Sequence, residues 1–264
     1  MVKTVGYSVN RIIAGALVAL ASGCGDNRPG SAVDATEGGD HVDMISVPIP
    51  GGGAYYIDSG ETTNAAYARF LTANPFTANQ PPYCNWNAEY TSELARGNDN
   101  DPVQGVDWCD AYAYCHWVGK HLCGKIGGGS LSYLQNDWKD PMKSEWYNAC
   151  SAGGAKAYPY GDIYNGGTCV GQDYDGMTGT QSSDVVHPTK DASGCVGGYP
   201  GLYDMSGNVA EWEDTCDGTT GKDDICLARG GGAYAPAYNL QCGPENIASR
   251  SSKGARLGFR CCAN

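Results

Sequence analysis

The chain has 264 residues, including 39 glycines and 18 tyrosines but only 3 phenylalanines, and its formal net charge is −12. This length suffices for one large domain with a complete core. The acidic charge argues against an electrostatic grip on nucleic acid or on an anionic membrane. The glycine and tyrosine content favours loops and irregular strands over helical bundles.

Residues 1–23 have the pattern of a lipoprotein-type signal peptide. Lys3 and Arg11 provide a basic region, and the apolar stretch 12–20 is too short to cross a bilayer. The segment "ASGC" then places small residues before Cys24, as in a bacterial lipobox, where the peptidase cuts before the cysteine and the cysteine takes the lipid. The alternative is an ordinary signal peptide whose cleavage site happens to lie near a cysteine.

Residues 24–41 contain almost no large apolar side chains, which predicts a flexible tether to the membrane. Gly25 stands where inner-membrane lipoproteins of Gram-negative bacteria carry a retention aspartate. We therefore expect an exported protein of the cell envelope, held on the outer membrane through its lipid alone. Residues 42–264 show no internal boundary and are expected to form one domain.

Three short helices are predicted among strands and loops. Residues 61–74 carry apolar side chains at helical spacing after a Thr/Asn start. Residues 106–120 offer Asp107 as N-cap and Gly119 as a stop. Residues 143–154 form the third helix.

The cysteine count supports export. There are 13 cysteines, and setting Cys24 aside for lipid leaves an even number that fits six disulfides. Zinc is the competing interpretation, but it needs close pairs such as C-x-x-C, and the four histidines fall in no ligand pattern. Cys261 and Cys262 are adjacent, so on a strand they point to opposite faces and must have different partners.

The segment "GLYDMSGNVAEWED", residues 201–214, places two carboxylates, Asp204 and Glu211, within an apolar pattern. The residues alone favour a structural role in which both side chains accept backbone N–H groups and fix the loop.

Seven segments identify a resemblance, and they occur in one order: "YIDSGETTNAAYARFL", "PVQGVDWCDAYAYCHWVGKHL", "SEWYNAC", "AYPYG", "GLYDMSGNVAEW", "ARGGGAY" and "RLGFRC". Together they resemble the formylglycine-generating enzyme family, also called sulfatase-modifying factor domains, over about residues 45 to 262. The resemblance implies an α+β fold related to C-type lectins, low in regular secondary structure and rich in disulfides.

The resemblance also implies two disulfides, Cys115–Cys261 and Cys150–Cys242. Two more pairs are predicted from local position. Cys216 and Cys226 flank a polar, hairpin-like loop, and Cys169 and Cys195 flank a Gly/Asp-rich insertion. Three connectivities remain open for the last four cysteines, which are Cys84, Cys109, Cys123 and Cys262.

Family members bind calcium at the loop that carries the two carboxylates. Carried over residue by residue, Asp204 and Glu211 would supply side-chain oxygens, while Gly207 and Val209 would supply backbone carbonyls. Carboxylate and carbonyl oxygens are the ligands that calcium prefers. A second, structural calcium site is expected within residues 165–185, where the available carboxylates are Asp173, Asp175 and Asp184.

The departure from the family concerns copper. The family enzymes oxidise a sulfatase cysteine to formylglycine with two cysteines that bind Cu(I) between "RGGS" and the disulfide cysteine. Here residues 229–242 read "RGGGAYAPAYNLQC", with no cysteine before Cys242. The family serine is Gly232, and the residues nearest the missing ligands are Gly232 and Ala237. Because soft thiolates select Cu(I), we expect no copper site there.

Two functions remain. The first is a lipid-anchored binding or scaffold domain without oxidase chemistry, which recognises a protein, a peptide or a glycan and not a nucleic acid. Its candidate ligand face lies where the family has its substrate groove and consists of Tyr234, Tyr238, Asn239 and Arg250. The second is an active oxidoreductase that converts a sulfatase cysteine to formylglycine through a divergent metal site.

Overall fold

A computed structural model describes residues 1–2, 43–92, 97–179 and 185–264. Apart from Met1 and Val2, the predicted signal peptide lies outside the described residues, as do the tether, Cys24 and Asp184. The described residues from 43 onward fall in one compact unit. None of the helices in the described part is long and apolar enough to span a bilayer.

The three predicted helices are present, and each begins at a side-chain cap. Their bounds are Asn64–Ala73 for α1, Trp108–Trp117 for α2 and Glu145–Ser151 for α3. The side chains of Thr63, Asp107 and Ser144 each accept the backbone N–H three residues further on. Asp110 completes a capping box in α2 by accepting the N–H of Asp107. Gly119, with φ of 76°, follows α2 as predicted.

In the described part of the chain, eight short strands form two four-stranded sheets. Their bounds are β1 Met44–Pro48, β2 Ala54–Asp58, β3 His121–Leu122, β4 Ala210–Cys216, β5 Ile225–Arg229, β6 Asn246–Ser249, β7 Leu257–Gly258 and β8 Cys261–Ala263. The first sheet has the order β1-β2-β8-β3 and the second the order β6-β5-β4-β7. Only β4 and β7 run parallel; the other neighbours are antiparallel.

The largest apolar cluster joins α1 and α2 to the residues around β7 and β8. Tyr67 and Phe70 of α1 pack with Trp108 and Tyr114 of α2 and with Phe259. A second cluster packs Trp146 of α3 against β1 and β2. These clusters hold the first sheet and the helices against the loop that leads into β4.

Regular structure is sparse elsewhere. Among the described residues, no helix or strand lies between Ser151 and Ala210. The structure describes single-turn 3-10 helices at Thr77–Asn79, Pro82–Cys84 and Asp137–Lys139. The predicted fold class, α+β with little regular secondary structure and many disulfides, is confirmed.

Candidate functional site

The loop before β4 is shaped by left-handed backbone. Asp204, Gly207 and Asn208 all have positive φ, of 54°, 81° and 58°. A Cβ on Gly207 would lie 2.2 Å from the carbonyl oxygen of Val170, so this position requires glycine. With this loop conformation the side chain of Asp204 is buried. Glu211 lies in β4 and is also buried.

Glu211 is held by Arg260, which the sequence had not linked to it. The Nε and Nη2 atoms of Arg260 donate to the two carboxylate oxygens of Glu211 at 2.7 and 2.6 Å. The indole Nε1 of Trp146 donates to the same carboxylate at 2.8 Å. A bidentate, fully buried pair of this kind fixes the orientation of the side chain as well as its charge.

Glu61 is a third carboxylate at this place, and it too was missed. It lies just before α1 and is 4% exposed. Its two oxygens accept the N–H of Val209 at 3.1 Å and the side-chain amide of Asn208 at 2.9 Å. Its sequence signal was weak because an acid next to a helix start is ordinarily a solvent-exposed residue that favours the helix dipole.

The three carboxylates interact electrostatically. Burial raises the pKa of Asp204 to about 6, and the charge of Glu211 adds to the rise. Burial also raises the pKa of Glu61 well above its ordinary value, with further contributions from Asp204 and Glu211. The three carboxylates, Glu61, Asp204 and Glu211, are accompanied by the guanidinium of Arg260, so negative charge exceeds positive charge at this site. A proton or a bound cation would neutralise part of this excess.

Some acceptor positions of these carboxylates are not used by the hydrogen bonds described above. A carboxylate has about four acceptor positions, of which Glu211 uses three and Asp204 one, in its bond from the N–H of Lys190. A cavity of about 440 Å³, lined in part by Glu61, Thr189 and Lys190, lies beside the group. Carboxylate oxygens are the ligand type that calcium takes, but among the described residues the oxygens of Glu61, Asp204 and Glu211 do not all lie within 4.8 Å of one another, so the calcium site stays a prediction.

The second predicted calcium region shows carboxylates engaged in local bonds. Asp173 accepts the N–H of Gly179 at 3.2 Å and the hydroxyl of Tyr164 at 2.9 Å. Asp175 accepts the N–H of Met177 at 2.9 Å. The third candidate, Asp184, lies outside the described residues.

Six disulfides join the twelve cysteines of the described part. The four pairs named from the sequence, Cys115–Cys261, Cys150–Cys242, Cys216–Cys226 and Cys169–Cys195, are all bonded. The open question of the last four cysteines resolves into Cys84–Cys109 and Cys123–Cys262.

The interval 229–242 is buried at Gly232 and Cys242 and exposed at Tyr234 and Tyr238. A Cβ on Gly232 would lie 3.1 Å from the Cβ of Arg256, so there is little room for a larger side chain there. The carbonyl of Ala237 accepts the hydroxyl of Tyr158 at 3.0 Å. Cys242, bonded to Cys150, is fully buried, and its carbonyl accepts from Arg229 at 2.6 Å.

The predicted ligand face divides in two. Tyr234 and Tyr238 are 46% and 66% exposed, and Asn239 beside them donates to the side chain of Asn246 at 2.7 Å. Arg250 is only 1% exposed, which corrects its grouping with the surface residues.

Arg250 is buried because two aromatic rings and an acid enclose it. Its guanidinium lies 4.3 Å from the ring centre of Tyr83 and 4.9 Å from that of Trp108, and it pairs with Asp224 at 3.2 Å. The side chain therefore serves packing in this structure.

One other group has the composition of a metal site. Ligand atoms of Cys123, Glu145 and Cys262 lie within 4.8 Å of one another. Both sulfurs belong to one disulfide, so neither is available as a thiolate. The Nε2–H of His121 donates to the Glu145 carboxylate at 3.0 Å, and this pairing raises the pKa of His121 against the opposing effect of burial.

Comparison with known proteins places the chain in a family. Residues 47–264 match the sulfatase-modifying factor enzyme 1-like domain. The chain is 31% identical over 196 residues to the formylglycine-generating enzyme of Mus musculus, a match that covers 62% of this chain and 45% of the relative. It is 26% identical over 174 residues to the inactive C-alpha-formylglycine-generating enzyme 2 of Mus musculus, covering 62% of this chain and 49% of that one.

The chain thus spans about half the length of these curated relatives. A solved structure, PvdO from Pseudomonas aeruginosa, is similar in fold with a TM-score of 0.53 at 17% identity, over 84% of this chain and 91% of that one. The family match extends from the first strand of the described part to the last residue. The chain therefore belongs to the family of sulfatase-modifying factor enzyme 1-like domains.

Proposed function

We propose that this chain is a binding or scaffold domain of its family that lacks copper-dependent cysteine oxidation. One observation supports this most directly: all twelve cysteines of the described part are paired in disulfides. A Cu(I) centre depends on soft thiolate ligands, and a disulfide sulfur does not provide one.

The interval 229–242 adds a local argument. Its single cysteine, Cys242, is bonded to Cys150, and the neighbouring positions Gly232 and Ala237 carry no soft ligand. Using Cys242 as a ligand would require reduction of that bridge, which is fully buried and joins Cys242 to α3. Similarity to both a formylglycine-generating enzyme and an inactive paralogue is compatible with this proposal.

The test is a conversion assay. The mature protein, loaded with Cu(I) under reductant, is incubated with a cysteine-containing sulfatase peptide, and the peptide mass is followed. We expect no conversion to formylglycine. A Cys150→Ala variant, which releases the Cys242 thiol, is expected to remain inactive because one thiolate is insufficient. Copper-dependent conversion by the wild-type protein would overturn the proposal and establish the oxidoreductase alternative at a divergent site.

A structural calcium ion at the loop before β4 is part of the proposal. Asp204 and Glu211 would supply carboxylate oxygens, with Gly207 and Val209 as candidate carbonyl ligands. The buried excess of negative charge around Glu61 supports a cation there. Calcium would neutralise this charge and fix the loop, and no catalytic step is assigned to it.

Export and lipid attachment at Cys24 complete the proposal, with the outer membrane as the expected location. They are supported by the basic and apolar segments that precede "ASGC". Intact mass of the membrane-extracted protein tests them: the mature chain should begin at Cys24 and carry a diacylglycerol group. A mature N-terminus elsewhere, without lipid, would refute the anchor and leave the other proposals standing.

The binding role itself has a candidate surface in Tyr234 and Tyr238, whose exposed rings suit a peptide, protein or glycan ligand. Proteins extracted from the same envelope are cross-linked to the wild-type chain and to a Tyr234→Ala/Tyr238→Ala variant. We expect a specific cross-linked partner to be lost in the variant. Equal cross-linking by both chains would exclude this face.

A further inference from the structure

An aromatic pocket of about 440 Å³ lies between α1, α2 and the segment 75–81. We define it by its aromatic walls, which are Phe70, Phe76, Tyr90, Tyr112 and Trp117. The copper and calcium arguments do not involve these residues. The volume lies in the range of small-molecule binding sites.

The pocket is preformed. Phe70 is fully buried and forms its floor, with its ring centre 5.0 Å from that of Tyr90 and 5.6 Å from that of Trp117. A preformed aromatic surface lowers the entropic cost of binding because its side chains are already ordered.

The segment 75–81 is tied to α2, which supplies the opposite wall. The Gln80 amide donates to the carbonyl of Asn87 at 2.8 Å, and the Asn87 amide donates to Asp110 of α2 at 2.9 Å. The disulfide Cys84–Cys109 joins the 3-10 helix that directly follows this segment to α2. The spacing between the walls is therefore fixed by bonds and does not depend on a ligand.

The walls are uncharged, although the chain as a whole has a net charge of −12. No Asp, Glu, Lys or Arg is among the described residues that line the pocket. An acidic or basic ligand would lose its hydration there without gaining a partner charge. The pocket therefore suits a neutral ligand.

The rim carries hydrogen-bonding groups that have no partner among the described residues. They are the side-chain amide of Asn79, the hydroxyl of Tyr112 and the indole N–H of Trp117. A ligand for this pocket should therefore combine an apolar face for the rings with polar groups at its edge.

We propose that the aromatic pocket binds a neutral saccharide. A pyranose ring has C–H groups on its face and hydroxyls around its edge, and it carries no charge. Its face would lie against the aromatic rings, while its hydroxyls would bond the groups at the rim. This surface consists of residues other than Tyr234 and Tyr238, so the inference stands independently of the proposed ligand face.

The test is a titration at about pH 8, where an unperturbed imidazole is neutral, so that His116 in the wall carries no charge. Tryptophan fluorescence and calorimetry follow binding of maltotriose, cellotriose, N-acetylated chitotriose and mannotriose, with choline as the cationic comparison. We expect at least one neutral trisaccharide to bind, and choline not to bind.

Phe76→Ala locates the site. Phe76 is 73% exposed, so its truncation should leave the fold intact while removing one wall. We expect this variant to weaken saccharide binding about tenfold, whereas Tyr56→Ala, an exposed aromatic on β2, should change nothing. A panel without any binder, binding of choline in place of the sugars, or binding lost in Tyr238→Ala but not in Phe76→Ala would each overturn the inference.

Discussion

The adjacent cysteines of β8, Cys261 and Cys262, form disulfides with Cys115 and Cys123, which are themselves close in sequence. We call Cys115–Cys261 the outer bridge and Cys123–Cys262 the inner bridge; they span 146 and 139 residues. If each bridge acted alone, the chain-entropy model would assign ~5 kcal/mol to each. The structure predicts a smaller effect, since either bridge already constrains the loop that the other closes.

The magnitudes follow from the loops that remain. With the outer bridge present, the inner bridge closes a ring of only about ten residues, which is worth ~2.7 kcal/mol, and the reverse also holds. Without either, the path through the intact Cys150–Cys242 bridge is roughly 55 residues, worth ~4 kcal/mol. Removing both bridges should therefore cost ~7 kcal/mol, more than the ~5.4 kcal/mol sum of the single removals.

The assay is equilibrium unfolding in urea, followed by tryptophan fluorescence, on alanine variants that lack the outer bridge, the inner bridge or both. Cavity contributions largely cancel in the comparison because the double variant loses the same sulfur atoms as the two single variants. As a control, removal of Cys169–Cys195 together with the inner bridge should be additive. With the outer bridge present, the short ring that the inner bridge closes shares no segment with the loop between Cys169 and Cys195. Single losses of ~5 kcal/mol that add in the double variant would refute the reasoning.

Three further outcomes are expected. EDTA should lower the melting temperature of the protein, and added calcium should restore it by ligand linkage. Asp204→Asn or Glu211→Gln should remove this response. A melting temperature that EDTA does not change in metal-stripped protein would favour a purely hydrogen-bonded loop. Burial raises the pKa of Asp214 from 3.8 to about 6. Between these pH values the folded state holds a proton that the unfolded chain releases. The free energy of unfolding should therefore fall as the pH rises from 3.8 to about 6, by at most ~1.4 kcal/mol per pH unit. Urea melts of Asp214→Asn across the window should show a weaker fall, and an unchanged slope would contradict this origin. Gly207→Ala should cost about 3 kcal/mol or more in thermal or urea unfolding, because it combines a positive φ with a clash against backbone; a near-neutral effect would show that the loop rearranges.

Local features of the fold were predictable from the sequence. The two ends of α2, marked by Asp107 and Gly119, were predictable because helix caps depend on residues only a few positions apart. The long stretch between α3 and β4 shows no helical period in the sequence and contains no helix or strand among the described residues. Strand pairing was less accessible, because β8 pairs with β2 about two hundred residues away and nothing local specifies that register.

The candidate site shows the same limit. Asp204 and Glu211 were identified from their odd position in an apolar segment, but Glu61 and Arg260 reach them from distant parts of the chain. Arg250 was misassigned for a related reason: a sequence does not reveal which aromatic rings will enclose a guanidinium. Sequence patterns did not predict the polar contacts between residues that are far apart in the chain.

The position of β8 constrains when this protein can become folded. It lies between β2 and β3 in the first sheet, yet it follows every other strand along the chain. Emergence from the ribosome or from a translocation channel therefore proceeds with the sheet open, and neither bridge at residues 261 and 262 can form until that late segment arrives. Such a high contact order favours slow maturation with exposed strand edges and unpaired thiols, a stage at which the chain depends on chaperones and on disulfide exchange.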